Sequence, residues 1–456
     1  MSTVAAIGTA LGTSGINIIR ISGNNSLNVV KKLFNNYDKL TPNSIIYGKI
    51  MDDGTFVDDV LVSYFEGPNS FTGEDICEIN CHGGTYVTKQ ILNLVLQNGA
   101  ILAQPGEFSK RAFLNGKMDL SKAESIIDLI NAKTKIESKI ATKQLDGQLY
   151  NKVIELREKL IEILAHIEVS VDYPEYDYEE INNTNILNLF DLEISELKKL
   201  IDTYEEGKYI KNGINVAILG RPNVGKSSLL NKLAKYERAI VTDIAGTTRD
   251  IVEETINIGD IILNISDTAG IRETEDVIEK IGVSKSIEKL DEVDLIIYIL
   301  NAEEKLSKED ISMLSKIQNK GIKYIAVINK MDKYNKSIFD AFLDQIKEIG
   351  IEQTINISVQ ENLGIESLKE KIISMFFEDK LNSRNEIMIV SERHRQLLID
   401  AVEYLKNAKN EAVKGMPVDI IFIQIKQSAK KLGEIIGTDV SQDVVNKIFE
   451  KFCLGK

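Results

Sequence analysis

The segment Gly220-Arg-Pro-Asn-Val-Gly-Lys-Ser-Ser228 sets two glycines, a lysine and two hydroxyls at a spacing that can grip phosphate. Gly220 and Gly225 let backbone N–H groups turn inward around phosphate oxygens. Lys226 can reach the terminal phosphates, and the Ser227 hydroxyl can ligate Mg²⁺. Asn223, Val224 and Ser228 complete the loop. The bland alternative is a glycine turn carrying a surface lysine. The flanks argue against it: an apolar run at 214–219 precedes the loop and a helix-prone run at 228–234 follows it. That order of strand, glycine loop and helix puts bound phosphate at a helix N-terminus, where free amides and the helix dipole favour anions.

Further residues follow in an order that fits the same chemistry. Asp267-Thr268-Ala269-Gly270 closes a strand-like run at 261–265. A carboxylate there can hold Mg²⁺ through water, and the Gly270 N–H can meet a γ-phosphate. Asn329-Lys330-Met331-Asp332 ends the run at 324–328. Asp332 can accept from both N1–H and the 2-amino group of guanine, donors that adenine lacks, and Lys330 would lie over the base. Between loop and second strand come Thr242, Asp243, Ile244, Ala245, Gly246, Thr247 and Thr248, with Thr248 the candidate to close on Mg²⁺. Ser358-Val359-Gln360 ends the run at 354–357 and would cap the guanine; Val359 stands where Ala is usual, which makes this the weakest element. The ordered set resembles the five G motifs of translation-factor-type GTPases, with GTP as substrate.

The site lacks two common parts. Ile271 stands where many regulatory GTPases place a water-orienting glutamine, and an aliphatic side chain cannot do that work. The acidic segment 272–279 reads first as a solvated face. Arg249 is either a cis arginine finger or a surface residue. Asn223 either binds a monovalent cation beside the phosphates or stabilises the loop turn.

The elements that must position these groups fall into three textures. Residues 1–117 read as α+β, with strand-like runs at 17–21, 44–50, 59–65 and 74–81 and a helix opened by Gly83-Gly84. Helical periodicity runs from Met118, where Ser121 and Glu124 have capping-box spacing, through Val171, and again from about Ile186 to Tyr209 and from Val390 to Phe452. A helical domain, 118–212 and 379–456, is thus split by an inserted nucleotide-binding domain at 213–378. The fold class is α/β plus all-α.

Composition narrows the partners. Formal net charge is −14 over 456 residues, with no Trp; this argues against a broad nucleic-acid-coating surface or stacking platform. No run is long enough to span a membrane, and no signal-peptide pattern opens the chain. Cys77 and Cys81 alternate on one strand about 13 Å apart, too far for a disulfide, so they read as core thiols in a reducing cytoplasm.

Across nearly the whole length the chain resembles the bacterial and organellar tRNA-modification GTPase family MnmE (TrmE). The resemblance rests on segments 18–23, 67–75, 82–84, 105–108, 111–120 and 243–250, and on the terminal Cys453-Leu-Gly-Lys456. It implies an N-terminal domain that binds a tetrahydrofolate derivative (5-formyl or 5,10-methylene) and dimerises, a central helical domain, and an inserted Ras-like P-loop G domain. It implies GTP hydrolysis coupled, with the FAD-carrying flavoprotein MnmG, to carboxymethylaminomethyl or aminomethyl addition at C5 of wobble uridine in tRNA. Matching positions imply a folate site at Arg20, Glu78, Lys117 and Lys456, although Arg20 and Glu78 also read as an ordinary ion pair. They imply K⁺ ligation by Asn223 with groups at Thr242, Ile244 and Thr247, water orientation by Glu279, and a functional thiol at Cys453, which otherwise reads as a packed side chain. The loop at 9–15 is less Pro- and Gly-rich than the family pattern. Two other readings are a ribosome-assembly GTPase, disfavoured by the acidic balance, and a dynamin-like membrane GTPase, for which no polybasic or membrane-inserting helix is evident.

Overall fold

A computed structural model describes residues 2–172, 183–236, 254–266, 293–377 and 387–455. The candidate residues 242–248, 267–270, Glu279 and Lys456 lie outside the described residues. The first stretch forms β1 (Val4–Ile7), β2 (Ile16–Ser22), α1 (Ser26–Leu33), β3 (Ser44–Asp52), β4 (Thr55–Phe65), β5 (Ile76–His82), α2 (Thr85–Gln97), β6 (Ile101–Leu102) and α3 (Glu107–Leu114). Helices α4 (Leu120–Asn131), α5 (Lys135–Leu145), α6 (Gln148–Asp172), α7 (Asn183–Asp202) and α8 (Tyr204–Asn212) follow. Then come β7 (Ile214–Leu219), α9 (Lys226–Tyr236), β8 (Glu254–Ile258), β9 (Ile261–Ser266), β10 (Leu295–Asn301), α10 (Lys308–Lys320), β11 (Lys323–Asn329), α11 (Lys336–Glu348), β12 (Thr354–Asn356) and α12 (Ile365–Phe376). Helices α13 (Glu392–Val413), α14 (Val418–Ile436) and α15 (Gln442–Phe449) close the chain.

Contacts divide the chain into two compact units. One comprises 1–131, 141–198 and 396–456, and the other 132–140 and 199–395. In the first, the sheet runs β3-β4-β5-β2-β1-β6, antiparallel except for the β1–β6 pair. The expected alternation on β5 is present: Cys77, Ile79 and Cys81 are buried and Glu78 faces the other way. Both thiols are free, and burial pushes the Cys77 thiol up to about 12, which keeps it protonated and unreactive. In the helical part, α6 buries Leu149, Val153, Leu156, Leu160, Ile163 and Ile167. These positions recur at near-heptad spacing, as two long helices packed side by side require, and α14 is the neighbour they meet.

Two local expectations need correction. Helix α4 starts at Leu120, and its cap is Asp119, whose Oδ1 accepts from Lys122 N at 3.1 Å. Ser121 is already inside the first turn, because fully buried Leu120 draws the helix two residues earlier than a Ser121 cap would allow. The helix expected over 186–209 is two helices. At the break, Thr203 Oγ1 donates to Leu200 O at 2.7 Å and accepts from Ile389 N at 3.0 Å, a side-chain bond that competes with helix continuation.

In the second unit the sheet order is β12-β11-β10-β7-β9-β8, parallel except for β8 against β9. All seven residues of β10 are buried. Alternate side chains of the central strands feed two separate cores: Ile297 and Val327 on one face, Tyr298 and Ile328 on the other. A parallel sheet covered on both faces demands such continuous apolar strands, and it presents the loops after its strand ends as a common rim.

Candidate nucleotide site

The phosphate loop leaves β7 at the centre of that rim. Gly220 has φ 145° and Gly225 φ 105°. A Cβ on Gly225 would lie 2.3 Å from Asn329 Nδ2, and one on Gly220 2.5 Å from Ile299 O. Both positions therefore need glycine for conformation and for space. Lys226, at the first position of α9, donates from Nζ to Gly220 O at 2.7 Å and Arg221 O at 3.0 Å. Its ammonium is thus held across the mouth of the loop. Ser227 and Ser228 are exposed in the first helical turn, and Asn223 is exposed with φ 61°. Val224 is buried, and its carbonyl accepts from Asn329 Nδ2 at 2.8 Å.

Asn329 is itself buried, and its Oδ1 accepts from Val359 N at 3.2 Å. One side chain therefore fastens the loops after β7, β11 and β12 together. Lys330 takes a left-handed φ of 66°, and its Nζ donates to Glu303 Oε2 at 3.0 Å. Met331 N donates to Ile357 O at 3.2 Å. Ser358, fully buried, donates from Oγ to Asp332 Oδ1 at 2.5 Å. That hydrogen bond holds the Asp332 carboxyl below its ordinary range, so it presents only acceptors at neutral pH. Val359 is half-buried and Gln360 exposed. The described residues thus bring Asn223 through Ser228, Asn329 through Asp332 and Ser358 through Gln360 to one rim.

The spacing of the motifs gave no sign of Arg221. Its Nη2 donates to Glu304 Oε2 at 2.9 Å, and its Nε lies 2.9 Å from Asp310 Oδ2. Asp310 is buried, takes a hydrogen bond from Tyr298 Oη at 2.9 Å, and closes a capping box with Ser307 at the start of α10. The Ser307-x-x-Asp310 spacing was the one available signal for this anchor.

The first unit brings a second set together. Arg20 and Glu78 are direct cross-strand partners, with Arg20 Nε donating to Glu78 Oε1 at 2.8 Å. Arg20 Nη1 also donates to Gly455 O at 3.3 Å, and its guanidinium stands 5.8 Å and 5.6 Å from the Phe71 and Phe108 ring centres. Lys117 Nζ donates to Pro68 O at 2.8 Å. The C-terminal segment is held in place: Gly106 N donates to Cys453 O at 3.3 Å, and Phe449 and Phe452 pack with Leu120 and Phe113. The Cys453 side chain is exposed. Among the described residues no cluster of three or more His, Cys, Asp or Glu is placed to hold a metal, and no helix is long and apolar enough to cross a membrane.

A glycine-shaped loop with Lys226 and an Asn-Lys-Met-Asp motif, brought to the rim of one mostly parallel sheet, are the arrangement of the P-loop GTPase class. A family model described as "MnmE helical domain" matches residues 120–453, and one described as "GTP-binding protein TrmE N-terminus" matches residues 3–117. The tRNA modification GTPase MnmE of Acetivibrio thermocellus is 45% identical, over all of this chain and 99% of that protein. The MnmE of Clostridioides difficile is 44% identical over all of this chain and 99% of its own length. A solved structure of Era from Aquifex aeolicus is 29% identical and covers 42% of this chain and 66% of that one, at a TM-score of 0.29. The chain belongs to the MnmE family of tRNA modification GTPases.

Proposed function

We propose that the chain binds GTP with Mg²⁺ at the rim of the second unit, hydrolyses it, and uses that cycle in modifying C5 of the tRNA wobble uridine. The observation that carries the reading is the Asn329–Val224 hydrogen bond, which sets the base-reading motif directly against the phosphate loop. One nucleotide can then span both. The first turn of α9 fits Mg²⁺, since the Ser227 hydroxyl is exposed beside the loop that Gly220 and Gly225 shape. Thr248 would complete the pair of hydroxyl ligands, with Asp267 held to the metal through water. Thr242, Asp243, Ile244, Ala245, Gly246, Thr247, Thr268, Ala269 and Gly270 would close over the triphosphate.

K⁺, when bound by Asn223 and by groups at Thr242, Ile244 and Thr247, would supply the positive charge that an arginine finger gives elsewhere. Asn223 suits this in being exposed on a left-handed loop position. Glu279 would orient the attacking water in place of the missing glutamine, and two G domains of a homodimer would shield the ion from solvent.

The first unit is read as the one-carbon end of the reaction. Arg20, Glu78 and Lys117, with Lys456, would hold a tetrahydrofolate derivative. The Arg20–Glu78 pair offers one donor face and one acceptor face beside Phe71 and Phe108, which suits a pterin ring. Cys453 is a candidate functional thiol close to that site. Domain boundaries at 117/118, 212/213 and 378/379 go with this reading, as do a flavoprotein partner of the MnmG type, tRNA as the other substrate, and a cytoplasmic setting. Mass spectrometry of wobble uridine in a strain lacking the gene, with and without this chain, tests it. Restoration of the modified nucleoside is expected, and an unchanged unmodified uridine would overturn it.

A further inference from the structure

The loop joining β10 to α10 touches both ends of the nucleotide site. Toward the phosphate loop, Glu304 accepts from Arg221 at 2.9 Å. Toward the guanine motif, Glu303 accepts from Lys330 at 3.0 Å. Asn301 ties the Glu304 carboxylate to the Glu303 backbone: its Nδ2 donates to Glu304 Oε1 at 2.8 Å, and its Oδ1 accepts from Glu303 N at 3.1 Å. The base of the loop is fixed, because Ala302 N donates to Asn329 O at 3.0 Å. On the far side, buried Asp310 holds the Nε of Arg221 at 2.9 Å.

The two glutamates are not core residues. Their side chains are 36% and 53% exposed, and exposed ion pairs of this kind usually do little for stability. Here each pair ends on a different recognition motif, and one short loop carries both. Arg221, Glu304, Asn301 at the end of β10, Glu303 and Lys330 thus form one continuous chain of contacts from the phosphate loop to the second motif.

We propose that this loop is a strap that couples the phosphate loop to the guanine motif, and that Glu303 and Glu304 are positioning residues that slow nucleotide release. The proposal rests on the reading of this rim as a guanine-nucleotide site. Neither glutamate meets the reacting atoms, so the strap acts on retention of the nucleotide rather than on its hydrolysis.

The test uses the full-length chain carrying Glu303→Gln, Glu304→Gln or both. The probe is a fluorescent N-methylanthraniloyl GDP, chased with unlabelled GDP, alongside steady-state GTP hydrolysis. Each single variant should release the probe about 2- to 5-fold faster, the range set by exposed ion pairs. The double variant should depart from the product of the singles, because both act through one loop. KM for GTP should rise while kcat stays within about twofold. Unchanged or slower release in both single variants, strictly multiplicative effects, or a fall in kcat matching the fall in kcat/KM would each overturn it. A parent chain that fails to retain the probe would instead refute the guanine-nucleotide reading itself.

Discussion

Asn329 and Val224 lie 105 positions apart, yet the Asn329 side-chain amide donates to the Val224 carbonyl at 2.8 Å with both residues buried. The bond makes Asn329, the first residue of the 329–332 motif, part of the wall of the loop at 220–228. Gly225, the next residue in the loop, is the point of closest approach. Any side chain there would meet the same amide at 2.3 Å.

Gly225→Ala should therefore fail in two ways at once. Its φ of 105° is a conformation that alanine rarely adopts, and its Cβ would displace Asn329 from Val224. A backbone conformation of that kind costs about 1–3 kcal/mol. Expected outcomes are a lower unfolding temperature and guanine-nucleotide affinity at least ~10-fold weaker, read by calorimetry. Parent-like affinity would show that the contact between the two motifs is dispensable.

The Asp332 carboxylate, held ionised by Ser358, would present two acceptors to the base edge in the proposed site. Asp332→Asn turns one acceptor into a donor pair and so suits xanthine better than guanine. Loss of hydrogen bonds to a charged group should weaken GTP binding by about 10- to 100-fold, while xanthosine triphosphate binds better than it does to the parent. Titration with the two nucleotides decides it, and equal GTP affinity in variant and parent would remove Asp332 from base recognition.

Much of this geometry could be read from the residues before any fold was known, because a tight glycine loop and the buried strands around it need particular residue types at particular places. The apolar runs before Gly220 and Asn329 became β7 and β11. The alternation at 76–81 put Cys77 and Cys81 inside and Glu78 outside. Other features were illegible for physical reasons. Ser121 and Asp119 are both capping types, and burial of Leu120 chose between them. Thr203 breaks a helix with a side-chain bond to Leu200 rather than with a glycine or proline. Glu303 and Glu304 belong to no motif, and only the strand order places one beside Lys330 and the other beside Arg221.

A pH effect should originate at His82. Its Nδ1 lies 2.6 Å from Asp58 Oδ1, and its backbone N–H binds Asp58 Oδ2 at 2.9 Å. The side-chain bond to Asp58 raises the imidazole above its ordinary value. A raised folded value means the pair stabilises fully below the unfolded pKa of about 6.5 and loses that contribution as pH rises through the folded value. Nuclear magnetic resonance titration should show His82 above 6.5 in the parent and closer to it in Asp58→Asn. A parent value at or below 6.5 would contradict the pairing.

The proposed folate site makes a separate demand. If Arg20 anchors the ligand, Arg20→Glu should abolish binding of a formyltetrahydrofolate to the full-length chain, because it sets two carboxylates opposite each other on β2 and β5. The first unit should remain folded by circular dichroism, since Arg20 is on the sheet face away from the core of Cys77 and Ile79. Calorimetry that finds no folate binding to the parent would refute the assignment.

Catalysis carries the last prediction. Ile271 removes the usual water-orienting glutamine, so the γ-phosphate charge and the attacking water need other partners. Under the proposed arrangement the charge is met by K⁺ on Asn223 and by backbone oxygens of the closing loop, and the water by Glu279. Na⁺ is smaller and fits a cage built for K⁺ poorly, so steady-state hydrolysis should be faster in K⁺ than in Na⁺, and Asn223→Ala should shrink the difference at a fixed salt concentration. Glu279→Ala should lower kcat by about 10²-fold, the cost of losing one positioned group. Nucleotide affinity should hardly change, the pattern of an interaction made mainly in the transition state. The two defects also separate by rescue: raising K⁺ should partly restore Asn223→Ala and leave Glu279→Ala unchanged, because only the first acts through the ion. Equal rates in the two salts for the parent would exclude the cation, and near-parent kcat in Glu279→Ala would return the water-orienting role to another residue.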